Sequence, residues 1–152
     1  MITLLRDLRH LRHRLNLSRP HPGGSLAIRH CDAGSCNGCE HELTLTASPY
    51  YDLQRYGLNI VASPRHADVL LVTGAVTSRM HEALRTAYHA MPEPRRVAAV
   101  GECALGQDLL GTPAEIIGAV DTVIPVDLRI PGCPPTPEVI AEALFGLLAW
   151  RA

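Results

Sequence analysis

The chain has 152 residues, 47% hydrophobic and 19% charged, with a formal net charge of -1; that is enough for one domain with a real core. The composition excludes a disordered chain, and no apolar run approaches the ~18 residues of a spanning helix. The balance of charge gives no ground for nucleic-acid binding, although every one of the 14 basic residues is an arginine.

The first segment, MITLLRDLRHLRHRLNLSRP, predicts an amphipathic helix. Leu4, Leu5, Leu8, Leu11 and Leu15 recur at three- and four-residue steps, and Arg6, Arg9, Arg12, His13 and Arg14 fill much of the rest. Such a helix can lie on an anionic membrane surface, dock on a partner or pack on its own domain. It lacks the continuous apolar stretch and small-residue cleavage site of a signal peptide, and adjacent arginines of the twin-arginine type. The prolines and glycines of SRPHPGGS then break it. Residues 1–24 are therefore read as an arm and linker, and residues 25–152 as the folded domain.

The domain alternates strands and helices. SLAIRHC (25–31) predicts a strand that runs into a cysteine loop. LNIVAS (58–63), DVLLVTG (68–74), RRVAAVG (95–101) and DTVIPVD (121–127) are short apolar runs of the kind that form buried parallel strands. Helices are predicted over 78–90, 113–120 and 137–149, the last with Thr136 as cap and Pro137 at its first position. This rhythm predicts an α/β fold, an open parallel sheet with helices on both faces. Strand after strand ends at a glycine or cysteine, and sites in such sheets form outside the carboxyl ends of the strands. Cysteines far apart in sequence can thus converge on one edge.

Five cysteines is an odd number, and in a cytoplasmic-looking context a disulfide framework is not expected. Cys36-Asn37-Gly38-Cys39 is a C-x-x-C pair, which zinc sites, dithiol oxidoreductases and iron–sulfur clusters all use. Cys103 and Cys133 are single and distant, unlike the two local pairs usual at structural zinc. Four such thiols suit a [4Fe–4S] cluster, with Gly38, Gly101 and Gly132 letting the backbone come close and Pro134 stiffening the last loop. No P-loop, G-x-G-x-x-G or H-E-x-x-H pattern supports a nucleotide or zinc-hydrolase site.

GSCNGCEHE, SPRHADVLLVTGAVT, GECA and VDLRIPGCPPTPEVI, in that order, resemble the small, cluster-bearing subunit of membrane-bound [NiFe] hydrogenases, including those of formate hydrogenlyase. These chains are related to the 20-kDa, subunit-B-type chain of complex I. The resemblance covers nearly everything after about Ser25 and implies a flavodoxin-like domain with Cys36, Cys39, Cys103 and Cys133 as ligands of one proximal [4Fe–4S] cluster. It implies an electron-transfer subunit that is not catalytic alone. Its partners would be a [NiFe]-hydrogenase-type large subunit, a ferredoxin-like iron–sulfur subunit and the membrane subunits of one complex. That complex would lie at the cytoplasmic side of the membrane, with this chain peripheral.

The spacing of Cys36 and Cys39 is the hydrogenase arrangement; in complex I the corresponding cysteines are adjacent. The complex I-type function, passing electrons to quinone, is the alternative, and a zinc-stabilised binding module is a third. The step after Cys103 reads Ala104-Leu105-Gly106 where many relatives carry serine-glycine-glycine. The chain ends soon after its last helix, so room for one cluster is expected. Glu42 matches the glutamate that closes the family's first motif and could assist proton movement, orient the loop or serve as a surface carboxylate. Arg65 matches the second motif; it could raise a cluster's potential by its charge or be an ordinary loop residue. Cys31 is read as an inert, buried thiol, and His66 as structural.

Overall fold

A computed structural model describes residues 24–107 and 114–151, with the side chains of the last three of these left aside. The expected helix in residues 1–24 lies outside the described residues but for Gly24. Five strands build the main sheet: β1 (Leu26–Asp32), β2 (Leu58–Ile60), β3 (Val69–Thr73), β5 (Arg96–Val100) and β7 (Leu128–Ile130). Their order is β2-β1-β3-β5-β7 and every pairing is parallel. Taken as five consecutive sheet strands this is the 2-1-3-4-5 order of flavodoxin-like folds. The chain moves outward from β1 to β2, then returns to the other side of β1, so a crevice opens beyond the carboxyl ends of β1 and β3.

The strands read as near-continuous apolar runs because both faces are covered. β3 is buried along all five residues. Leu26 and Ile28 of β1 and Val69 and Leu71 of β3 point to the face covered by helices α1 (Gly38–Leu45) and α3 (Pro137–Arg151), where Leu43, Ile140, Leu144 and Leu148 meet them. The alternate residues Leu70, Val72, Val97 and Ala99 meet Leu84 of helix α2 (His81–Ala90) on the other face. Tyr51, after α1, donates a 2.6 Å hydrogen bond from its hydroxyl to Glu138 Oε1 in the first turn of α3. That bond and the apolar contacts hold α1 and α3 together.

Two expected elements are replaced. In place of a helix over 113–120, Ile116–Gly118 forms a strand, β6, paired antiparallel with β4 (Val76–Thr77); Pro113 itself lies outside the described residues. The β-branched pair Ile116-Ile117 followed by a glycine suits an extended segment better than a helical turn. In place of a strand over 121–127, a 3₁₀ turn spans Val120–Thr122 and the strand begins only at Leu128. Pro125 has no N–H to give to a ladder, which keeps that stretch out of the sheet. Helix α1 was not foreseen. It is short, begins on a glycine and does not segregate its polar and apolar residues on opposite faces.

Leu71 is fully buried between β1, β5 and the covering helices. Leu71→Ala is expected to lower the unfolding free energy by about 2–5 kcal/mol, measured as a shift of the denaturant midpoint at unchanged slope.

Candidate functional site

The loop after β1 is built by its own side chains. Asp32 Oδ1 accepts from the backbone N–H groups of Gly34 and Ser35, both at 2.8 Å. The Ala33 N–H donates to the Thr73 carbonyl at 2.9 Å, so the loop turns across the end of β3. Gly74 takes φ 78° at that crossing, and a Cβ there would stand 2.4 Å from the Ser35 nitrogen. Only glycine lets the two chains pass so closely. Asn37, at φ 68°, then turns the backbone into α1 and puts Cys36 just before the helix and Cys39 in its first turn.

The other two thiols leave the same edge. Cys103 follows β5 and Cys133 follows β7. Their loops are tied by backbone bonds, from Gly101 N–H to the Ile130 carbonyl at 2.8 Å and from Glu102 N–H to the Gly132 carbonyl at 3.1 Å. Gly101, at φ 90°, is the point of closest approach: a Cβ there would lie 2.5 Å from Cys39 Sγ. A Cβ on Gly38 would lie 3.5 Å from Cys36 Sγ and 3.8 Å from the ring of Pro134, which follows Cys133. The C-x-x-C loop is thus wedged between the exits of β5 and β7.

Electrostatics report the same proximity. Burial pushes the Cys39 thiol up to about 12, and the nearby charges of Glu40, Cys36, Cys103 and Cys133 add to it in that order. Cys39 and Cys103 are partly buried, Cys36 and Cys133 exposed. Among the described residues no three His, Cys, Asp or Glu side chains are grouped tightly enough to hold a single metal ion.

Behind Cys39 lies a polar cluster that sequence reasoning missed. Glu40 accepts from Ser35 Oγ at 2.7 Å through Oε2, and from the Thr73 hydroxyl through Oε1. His30 Nε2 lies 2.9 Å from Thr73 Oγ1 and 3.6 Å from Glu40 Oε1. The Asn37 N–H closes the set on Ser35 Oγ at 3.1 Å. The signal was available: His30 continues the inward series Leu26 and Ile28, and Thr73 continues Val69 and Leu71. An apolar stripe that turns polar at its last position asks for a polar partner across the layer.

The other residues singled out earlier are placed as follows. Cys31 packs with the α2-side core, on the opposite face of the sheet from Cys39, and burial raises its thiol. Glu42 lies within α1, one helical turn past Cys39, and its charge reaches Tyr51. Arg65 and His66 form a 3₁₀ turn (Pro64–His66) at the start of β3. The thiol edge is at the other end of that strand, about 13 Å away for four steps of ~3.3 Å.

A family model described as "NADH ubiquinone oxidoreductase, 20 Kd subunit" matches residues 36–147. The chain is 43% identical over 122 residues to a probable membrane-bound hydrogenase subunit of Pyrococcus furiosus, covering 80% of this chain and 73% of that one. It is 42% identical over 122 residues to formate hydrogenlyase subunit 7 of Escherichia coli, again over 80% of this chain but only 47% of the relative. An uncharacterized protein of Methanocaldococcus jannaschii is 47% identical over 114 residues, 75% of this chain and 76% of that one. Among solved structures, a chain of the membrane-bound sulfane sulfur reductase, an archaeal respiratory membrane complex, superposes with a TM-score of 0.72 at 32% identity. That match covers 85% of this chain and 71% of the other. A chain of an NAD+-reducing [NiFe]-hydrogenase gives 0.64 at 22% identity, over 84% of this chain and 93% of that one, and shares the fold.

Two outcomes are expected from this geometry. Gly101→Ala places a methyl group against Cys39 Sγ at a left-handed backbone position and should cost about 1–3 kcal/mol, read from denaturant unfolding. His30 is held below its usual 6.5, chiefly by burial and against the opposing pull of Glu40. The unfolded chain therefore takes up a proton that the folded one refuses. Stability should fall as the pH drops through about 6.5, and His30→Gln should flatten that part of the pH profile of the melting temperature.

Proposed function

The chain belongs to the 20-kDa subunit family of NADH:ubiquinone oxidoreductase, and from that premise we propose that it is the electron-transfer subunit of a membrane-associated [NiFe]-hydrogenase-type complex, holding one [4Fe–4S] cluster on Cys36, Cys39, Cys103 and Cys133. The observation that carries the proposal is the convergence of four thiols on one sheet edge, with Cys39 Sγ pressed against the backbone of Gly101. Burial, and then the charges of Glu40 and the other three thiols, makes ionisation of Cys39 costly in the free chain, and a cationic iron group would relieve that cost on binding.

When bound, the cluster supplies one-electron transfer without bond making. The chain's own residues do the rest. The partly buried Cys39 and Cys103 would hold it from the protein side, and the exposed Cys36 and Cys133 from the surface that a large subunit would face. The close approach at Gly101 and Gly38 keeps bulk away from the sulfurs, and Pro134, lacking an N–H, fixes the last loop where α1 begins. No helix among the described residues is long and apolar enough to cross a membrane; in this reading the chain is a peripheral subunit on the cytoplasmic side of the membrane. The remaining partners in this reading are a ferredoxin-like iron–sulfur subunit and the membrane subunits of the complex.

The hydrogenase assignment draws on the C-x-x-C spacing and on the names of two relatives. The likeness to the sulfane sulfur reductase complex favours a second reading, in which the same relay serves a respiratory complex without hydrogenase activity. The complex I-type role, handing electrons to quinone, belongs with that reading.

The test is a metal and sulfide analysis of the complex isolated anaerobically from its host through a tag on this chain. Iron with acid-labile sulfide is expected, with nickel for the hydrogenase reading and without it for the second. Alanine at any of Cys36, Cys39, Cys103 or Cys133 should lower the iron content, and Cys31→Ala should leave it unchanged. Zinc without iron would overturn the proposal.

A further inference from the structure

The Glu40 carboxylate is held beside the thiols by more bonds than loop building requires. It is a residue away from Cys39, its side chain is 19% exposed, and it takes one hydroxyl from the loop and one from the end of β3. Thr73, one of those donors, is wholly buried. Neither donor carries charge. His30, the ring beside them, has its Nε2 3.6 Å from Glu40 Oε1, beyond hydrogen-bond distance, so no close ion pair holds the carboxylate. The hydrogen bonds instead fix its place, between the C-x-x-C loop and the sheet edge.

A fixed negative charge next to a redox centre disfavours the addition of an electron, more strongly where water is partly excluded. The reduction potential of an iron–sulfur centre follows net charge, hydrogen bonding and exposure around its sulfurs. We infer that Glu40, clamped by Ser35 and Thr73, is a positioning residue that lowers the reduction potential of the group held by the four thiols. The inference rests on the reading of those thiols as cluster ligands. Its effect is opposite in sign to the one the sequence suggested for Arg65, which lies at the far end of β3.

The clamp has a mechanical side as well. Ser35 Oγ receives the Asn37 N–H and donates to Glu40, so the residues on both sides of Cys36 are fixed to the same carboxylate. Glu40→Gln keeps the side-chain length and one acceptor oxygen, removes the charge and turns the other oxygen into an N–H donor, so one of the two hydroxyls must turn to accept. Glu40→Asp retains the charge and shortens the reach.

The test is a redox titration of the intact complex, followed by low-temperature electron paramagnetic resonance of the signal that disappears in Cys133→Ala. Glu40→Gln is expected to move the one-electron reduction equilibrium about tenfold toward the reduced form, an upward shift of about 59 mV. Glu40→Asp should stay closer to the parent. An unchanged midpoint in Glu40→Gln, or an equal shift in Glu40→Asp, overturns the inference. Should Glu40→Gln fail to assemble, Ser35→Ala frees one carboxylate oxygen without altering charge. A smaller upward shift is then expected, and no shift overturns the inference. A parent complex with iron absent and no such signal would defeat the cluster reading itself, which is a different result from an unmoved midpoint.

Discussion

Parallel pairing of β1, β3, β5 and β7 is the constraint from which the rest follows. Strands that run the same way release all their exit loops on one edge, whatever lies between them in the chain. Cys36, Cys39, Cys103 and Cys133 need no long-range recognition of their own to meet; the sheet's backbone ladder brings them together. The two exits that carry Cys103 and Cys133 are joined by further backbone bonds beyond the strands, so the ladder continues into the site itself. Core packing and thiol placement are therefore one cooperative structure, and damage to the apolar layers should be felt at the edge.

The edge gathers groups that resist sharing a small space. Cys39 is desolvated and crowded by a carboxylate and three other thiols. Such an arrangement is poor for stability and suited to binding a cationic group, a common trade where function and fold compete. The hydroxyls of Ser35 and Thr73 supply the carboxylate with hydrogen bonds where water is partly excluded.

Much of this was legible in the sequence. The apolar runs that became β1, β3 and β5 were short, β-branched and closed by small residues, and the burial of both sheet faces made them conspicuous. That cysteines distant in the chain gather on one edge followed from the parallel topology, while the choice of these four came from the C-x-x-C spacing and the family resemblance. What the sequence hid had local causes. Pro125 sat inside a run whose hydrophobicity resembled a strand, and the chain enters the sheet only at Leu128. Ile116-Ile117 was drawn into a two-strand pairing with Val76-Thr77 that no local pattern announces. Helix α1 carries no clear apolar stripe, because its first turn is occupied with the thiol loop. Glu40 was passed over because His30 and Thr73, which stand beside it, come from two strands, β1 and β3, that the local sequence does not connect with it.

The outermost strands of the main sheet, β2 and β7, are three residues long each. A margin that short offers few unpaired N–H and C=O groups as a template for strand addition. An orphan subunit, made before its partners arrive, is thereby poorly equipped to polymerise edge to edge. The thiol-bearing rim, by contrast, is made of loops and helix starts rather than a strand edge. The brevity of two strands thus works against edge-to-edge self-association.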